Sequence, residues 1–148
     1  MATKTFRMSF PRRLGNLVVY LLLTLGIPPD RHMYLMSVRG RKSGKVHSTP
    51  LTLVERNQQR FLVAPYGEVD WVRNVRVAGE VTLSRGRRSE TVKVAELNPT
   101  DSAPVLRDYL RQVSIVRPYF EATPDSPLSV FAEEAPRHPV FRVVSTSG

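Results

Sequence analysis

Short apolar stretches, several of them alternating with polar residues, fill the chain from residue 33 onward. Such stretches predict β-strands when they are rich in branched or aromatic residues and end at Gly, Pro or polar clusters. The second stretch contains Pro50, which a strand tolerates at a sheet edge or at a bulge. The predicted strands are Met33–Val38, Val46–Val54, Arg60–Ala64, Val81–Arg85, Ser89–Leu97 and Pro139–Val144.

Helices are predicted between these strands. Asp70 is the expected N-cap of a short helix over Trp71–Ala78, and Gly79 follows its end. A longer helix is predicted to begin at Asn98–Asp101. Its apolar face comprises Val105, Leu106, Tyr109, Leu110 and Val113.

The last predicted helix begins at Ser126–Pro127 and ends in Glu133–Glu134, which are expected to be solvated. Short strands with one or two packing helices favour an α+β barrel, and the chain is short enough to be a single domain, 1–148. The regular strand–helix alternation of a dinucleotide-binding sheet is absent from the pattern.

Residues 1–29 are predicted to form an N-terminal helical extension. Proline suits the first helical position, at Pro11, and Gly26–Pro29 ends the helical pattern. The segment is apolar around much of its girth and has basic residues at one end, so it could contact an anionic membrane surface or pack in the core. It is shorter than the ~20 apolar residues that cross a bilayer. The apolar positions are Leu14, Leu17, Val18, Leu21, Leu22 and Leu25, and the cations are Lys4, Arg7, Arg12 and Arg13.

Composition narrows the chemistry. The chain has no cysteine, which excludes disulfides and a thiol nucleophile, and its three histidines are scattered, which argues against a metal site. The net charge of +9 attracts anions: nucleic acid, a membrane surface or a phosphorylated small molecule. Nucleic-acid binding is the least favoured of these, because the basic turn described next contains no aromatic residue.

The densest cluster of cations lies on a predicted turn, Arg39–Lys45, which has the sequence RGRKSGK. Its glycines leave backbone N–H groups accessible beside side-chain charges, a combination that suits phosphate or carboxylate. It is not a Walker A loop, because only three residues separate Gly40 from Gly44.

Four motifs occur in order: Val38–Gly44, Ser48–Leu51, Phe61–Ala64 and Trp71–Val75. As a set they resemble the deazaflavin-dependent nitroreductase, or coenzyme F-420-dependent quinone reductase-like, family. The resemblance implies an FMN-binding split-barrel-like fold and coenzyme F-420 as the cofactor.

The resemblance also implies a coenzyme site. Arg41 and Lys42 would hold the phosphate, with Arg39 and Lys45 adding charge for the acidic tail. His47 stands where many relatives have an arginine. The expected cofactor-binding residues are Arg39, Arg41, Lys42, Ser43, Lys45, His47, Pro50, Ala64, Pro65, Trp71 and Asn74.

Two tyrosines are the candidate catalytic residues. A phenol can donate a proton to a reduced substrate, and the resemblance places Tyr66 near the coenzyme ring and Tyr119 near the substrate. Both could instead serve only in packing.

The leading functional hypothesis is hydride transfer from reduced coenzyme F-420 to a quinone-like, nitro or unsaturated small molecule. The alternative is a non-enzymatic binder of a lipid, fatty acid or other hydrophobic anion in the same barrel. A homodimer is expected by analogy with other split barrels. The expected location is the cytoplasm, with peripheral contact at the inner face of the plasma membrane.

Overall fold

The computed structural model describes residues 17–19, 21, 22, 25 and 32–146. Seven strands form one antiparallel sheet in the order β2-β1-β5-β6-β7-β4-β3. The strands are β1 (Met33–Arg39), β2 (Val46–Thr52), β3 (Val54–Arg56), β4 (Gln59–Val63), β5 (Glu80–Arg85), β6 (Arg88–Glu96) and β7 (Val140–Thr146). The α+β split-barrel prediction is confirmed.

The barrel closes through a single bent segment. The sequence predicted one strand over Val46–Val54, but the chain bends at Leu53 into two strands, β2 and β3. β2 pairs with β1, whereas β3 pairs with β4 at the other end of the strand order. One continuous segment therefore joins both ends of the sheet, and Pro50 lies in the part of it that pairs on one side only.

Within residues 32–146, three α-helices accompany the barrel: α1 (Asp70–Ala78), α2 (Pro99–Gln112) and α3 (Leu128–Glu134). Two 3-10 helices, Ser114–Tyr119 and Ala135–Arg137, complete the helical segments after β6. α1 ends at Gly79, whose φ of +73° is the left-handed conformation that glycine adopts easily.

The prediction that Asp70 is the N-cap of α1 is wrong. Val69 occupies that position without a side-chain hydrogen bond, and Asp70 is the first helical residue. An acidic residue in the first turn still interacts favourably with the positive end of the helix dipole.

Strand alternation divides the core into two layers. Phe61 and Val63 of β4 face the helices, while Leu62 and Ala64 face the barrel interior. The helix-facing layer includes Val105, Leu106, Tyr109 and Leu110 of α2, the face predicted from the sequence. In the barrel interior, side chains that include Met36, Leu62 and Phe141 pack together and fill the space.

The N-terminal segment is described only in part. Residues 17–19, 21 and 22 are helical, as predicted, and Leu17, Val18, Leu21 and Leu25 each expose about half or more of their surface. The predicted start at Pro11, the cations Lys4, Arg7, Arg12 and Arg13, and the stop at Gly26–Pro29 lie outside the described residues.

Candidate coenzyme site

An open cleft of about 340 Å³ separates the β1–β2 turn from the first turns of α1. This volume is at the lower end of the range of about 300–1,000 Å³ found for small-molecule sites. The cleft is lined by Gly40, Arg41, Lys42, Ser43, His47, Asp70, Trp71 and Asn74. Six of the predicted coenzyme-binding residues are therefore brought together here: Arg41, Lys42, Ser43, His47, Trp71 and Asn74.

Backbone hydrogen bonds hold the turn in a compact shape. Gly40 N–H donates to the Lys45 carbonyl at 2.7 Å, and Gly44 N–H donates to the Gly40 carbonyl at 3.0 Å. A Cβ at Gly40 would lie 2.9 Å from Nε2 of His47 and 3.0 Å from Oγ of Ser43, so no larger residue fits without a shift of these side chains. Ser43 Oγ also accepts from Lys45 N–H at 3.1 Å.

Arg41 fixes the turn to α1. Its backbone N–H and its guanidinium both donate to Oδ1 of Asn74, at 3.1 and 2.7 Å, and Asn74 is buried. A second guanidinium nitrogen lies 3.5 Å from Oδ1 of Asp70. Both terminal nitrogens of the Arg41 guanidinium thus have partners on α1, and Asp70 is a member of this cluster that the sequence did not indicate.

Lys42 and Lys45 present their charges to solvent. Both are exposed, and within the described residues neither ammonium group has a hydrogen bond or an ion pair. Arg39 is exposed as well and donates from Nη1 to the Gly44 carbonyl at 3.1 Å. The turn therefore offers two unengaged cations, of which Lys42 lines the cleft, and this charge fits a phosphate or carboxylate ligand.

An aromatic wall borders the cationic part of the cleft. Trp71 lines the cleft, is partly buried and packs against the barrel core, with its ring 6.1 Å from that of Phe141. Pro50 is partly buried on β2, opposite Leu35 of β1, and lies outside the lining of the cleft. A flat wall of this kind can take an aromatic ring system.

The remaining predicted residues lie away from the lining of this cleft. Ala64 is fully buried in the barrel interior, and Pro65 is buried beside it. Tyr66 and Tyr119 pack against the helix-facing core and contact each other edge to face, with ring centroids 4.8 Å apart. Burial of the neighbouring Tyr109 raises the pKa of its phenol, which therefore stays protonated at neutral pH.

A buried ion pair lies close to these tyrosines. His138 Nε2 is 2.7 Å from Oε2 of Glu134, and both side chains are almost completely buried. The prediction that Glu134 is solvated is therefore wrong, and His138 is not an isolated histidine. The spacing of four residues, which places two side chains on one helical face, was the signal available in the sequence.

Burial opposes the charge of Glu134, but other interactions outweigh it. Desolvation raises the pKa of the carboxyl, whereas the hydrogen bonds from His138 and from the Ala122 and Glu121 backbone lower it. The net result is a pKa below the usual range of a glutamate.

Two further observations concern the described residues as a whole. They contain no group of three or more His, Asp or Glu side chains arranged to bind a metal ion. No helix among them is long and apolar enough to cross a membrane.

Comparison with known proteins identifies the family. The family model for F420H2-dependent quinone reductase matches residues 17–139. A solved F420-H2 dependent reductase, FDR-A, is 25% identical with a TM-score of 0.52, over 78% of this chain and 96% of that one. No curated protein matches the sequence significantly.

Two other solved structures share the fold. One, described as a domain-swapped dimer, is 22% identical with a TM-score of 0.58, over 90% of this chain and 99% of that one. The other, Atu2129 from Agrobacterium tumefaciens, of unknown function, is 10% identical with a TM-score of 0.59, over 99% of this chain and 60% of that one. The family match covers most of the chain and includes the cationic turn, α1 and strands β1 to β6. The chain therefore belongs to the F420H2-dependent quinone reductase family and is an oxidoreductase whose coenzyme is F-420.

Proposed function

We propose that the protein transfers hydride from reduced coenzyme F-420 to a quinone-like, nitro or unsaturated small molecule, with the coenzyme phosphate bound at the β1–β2 turn. The observation that carries this proposal is the cleft in which the unengaged cation Lys42 faces Trp71 and Asn74. A coenzyme with an anionic tail and an aromatic ring requires this pairing of positive charge with an apolar wall.

Each part of the cleft has a separate role in this proposal. Lys42 and Lys45 bind the anionic groups, and Arg39 adds charge at the turn. Arg41 contributes to the positive field, but its hydrogen bonds with Asn74 mainly hold the turn in place. Ala64 and Pro65 are buried, so they support the site from beneath.

When bound, the coenzyme supplies a hydride, and the protein has to orient the acceptor and provide a proton. Tyr119 and Tyr66 can hold that proton at their phenol oxygens, since a phenol both donates and accepts hydrogen bonds. Their edge-to-face contact places the two residues in one location. In this proposal Tyr119 contacts the substrate, and Tyr66 lies closer to the coenzyme.

The direct test titrates oxidised coenzyme F-420 into the wild type and into Lys42→Ala. Loss of one charge-assisted contact should weaken binding by about 1–3 kcal/mol without unfolding the protein. Arg87→Ala removes an exposed cation from the β5–β6 turn and is the matched control. Equal affinities for all three proteins would show that the β1–β2 turn is not part of the coenzyme site.

Substrate class is tested with reduced coenzyme F-420 and menadione as the acceptor. Tyr119→Phe keeps the ring and removes the hydroxyl, and positioned proton transfer contributes about 10²–10⁴-fold in rate. An unchanged rate would mean that the Tyr119 hydroxyl does not donate the proton and that the residue serves only in packing. Tight binding of a fatty acid, with no turnover of any acceptor, would favour the lipid-carrier alternative, although side chains already fill the barrel interior.

The N-terminal segment is the proposed contact with an anionic membrane surface. Leu17, Leu21 and Leu25 recur every four residues and are all exposed, so they form one apolar face. Deletion of residues 1–26 should reduce binding to phosphatidylserine vesicles and leave a folded protein. Unfolding or aggregation of the truncated chain would assign the segment to the core.

A homodimer is the proposed oligomeric state. A solved structure of the same fold is described as a domain-swapped dimer, and this chain covers 99% of it. Light scattering of the purified protein at two concentrations tests the assignment, and a constant monomer mass would contradict it.

A further inference from the structure

The Glu134–His138 pair connects three segments that are distant in sequence. His138 Nδ1 is 2.9 Å from the Pro65 carbonyl oxygen, and its Nε2 is 2.7 Å from Oε2 of Glu134. The other carboxylate oxygen, Oε1, accepts from the backbone N–H groups of Glu121 and Ala122 at 3.0 and 2.7 Å. The pair thus ties α3 to the loop after β4 and to the segment after Tyr119.

The hydrogen bonds define where the protons are. A carbonyl oxygen only accepts, so Nδ1 of His138 carries a proton and donates it to Pro65. Two backbone donors on Oε1 favour the charged carboxylate of Glu134, so Nε2 donates as well. With both ring nitrogens engaged and the ring buried, His138 has no proton available for a substrate.

The tethered segments carry the two candidate catalytic tyrosines. Pro65 directly precedes Tyr66, and Phe120 directly follows Tyr119. The Phe120 ring stacks on the His138 imidazole, with centroids 3.8 Å apart and planes 11° from parallel. His138 therefore fixes the residue next to each tyrosine, one through a hydrogen bond and the other through a ring contact.

We propose that Glu134 and His138 are positioning residues, which hold the Tyr66–Tyr119 pair in the arrangement that receives the electron acceptor. This inference rests on the proposed function, because it takes from it the roles of the two tyrosines. On this proposal, loss of the Glu134–His138 pair lowers kcat/KM for the acceptor. Affinity for the coenzyme depends on the β1–β2 turn and is independent of the pair.

Two amide substitutions at His138 can each keep one of its two hydrogen bonds and remove the other. The amide nitrogen of Asn is as many bonds from Cβ as Nδ1, so His138→Asn can keep the hydrogen bond to Pro65. The amide nitrogen of Gln reaches the position of Nε2, so His138→Gln can keep the bond to Glu134 instead. Both variants lose the ring and its charge, so a general loss of stability should affect them alike.

The tether to Pro65 is the part that positions Tyr66. With menadione as acceptor, His138→Gln should lower kcat/KM by about 10- to 100-fold, the cost expected for a displacement of about 1 Å, whereas His138→Asn should lose much less. Amide hydrogen exchange at Tyr66 and Gly67 should be faster in His138→Gln than in His138→Asn. The affinity for oxidised coenzyme F-420 should be the same in both variants.

Glu134→Gln tests whether position or charge matters, and it remains informative if the His138 variants do not fold. The Gln carbonyl can accept from Glu121 and Ala122, and its amide can donate to a neutral His138 that still donates to Pro65. Activity should stay within about threefold of wild type, because every hydrogen bond is kept. His32→Gln, which alters a partly exposed histidine 3.8 Å from Glu55, is the control and should behave as wild type.

The outcomes separate this inference from the proposed function. If Tyr119→Phe lowers kcat/KM but the Asn and Gln variants of His138 have equal activity and equal exchange at Tyr66, the positioning role is overturned. A loss in Glu134→Gln as large as in His138→Gln also overturns it, since the charge would then be required. If Tyr119→Phe is fully active and no acceptor is reduced by the wild type, the proposed function itself fails.

Discussion

Asn74 holds the cationic turn against α1. Its Oδ1 accepts from both the backbone and the guanidinium of Arg41, and its side chain is buried. Asn74→Ala would leave these donors without their acceptor, which costs about 1–3 kcal/mol of unfolding free energy for buried groups. The same variant should bind coenzyme F-420 more weakly, because the turn would no longer be held against α1.

Val77→Ala is the matched control for this prediction. Val77 lies on the same helix but is 70% exposed, so its truncation should change stability by no more than about 0.5 kcal/mol. Urea unfolding of the three proteins, followed by coenzyme titration, measures both effects. If Asn74→Ala is as stable as Val77→Ala, Asn74 does not hold the turn.

For single residues, the sequence indicated which side chains belong to the candidate site better than it indicated which side chains contact each other. The turn cations and Asn74 were identified from local motifs, and Arg41, Lys42 and Asn74 line one cleft, whereas Arg39 and Lys45 lie outside its lining. Asp70 and Glu134 were misjudged because their partners, Arg41 and His138, act through the tertiary fold. Charged residues are rarely fully buried, so a solvated glutamate was the expected state of Glu134 until its partner was seen.

Helix boundaries show how local chemistry determines an element. Asn98 accepts from Asp101 N–H at 2.8 Å and so caps α2, whereas Val69, the N-cap residue of α1, makes no side-chain cap hydrogen bond. Asn98→Ala should therefore lower the unfolding free energy by about 1 kcal/mol, the usual cost of losing a cap. Val77→Ala, at an exposed position of α1, has no cap to lose, and thermal unfolding of the two variants tests the contrast. An unchanged midpoint for Asn98→Ala would show that packing alone determines the start of α2.

Element boundaries that depend on local contacts were predicted, whereas those that depend on contacts distant in sequence were not. α2 was predicted at its correct start because its cap lies within four residues of sequence, from Asn98 to Asp101. The bend at Leu53 was missed, because the contacts on its two sides are distant in sequence: Leu53 N–H donates to the carbonyl of His32 at 2.8 Å, beside the β1–β2 ladder, whereas Val54 pairs with Phe61 of β4. Apolar periodicity continues through such a bend, so it predicted one strand where the structure has two.

For the whole molecule, the barrel class followed from the number and length of the strands, whereas its closure depends on which strands pair. β3 pairs with β4 and β2 with β1, although β2 and β3 are adjacent in sequence. Pairing partners at long range are not encoded in local periodicity, since the same alternation suits several registers and neighbours. Local periodicity does not predict the arrangement of the helical layer on the barrel either. The buried Glu134–His138 pair contributes to that arrangement.

Glu134 links that helical layer to the barrel, so its ionisation bears on the stability of the whole fold. The carboxyl pKa in the folded protein lies below its ordinary value of 4.5. At a pH below about 4.5 the unfolded chain therefore binds a proton at this group before the folded protein does, and the free energy of unfolding falls as the pH falls. The stabilisation is fully present above this range and disappears once the pH has passed the folded pKa. A carboxyl-carbon NMR titration of the native protein, with chemical unfolding at each pH, measures both quantities. Titration of Glu134 at or above its ordinary value would mean that burial outweighs the hydrogen bonds from His138, Glu121 and Ala122.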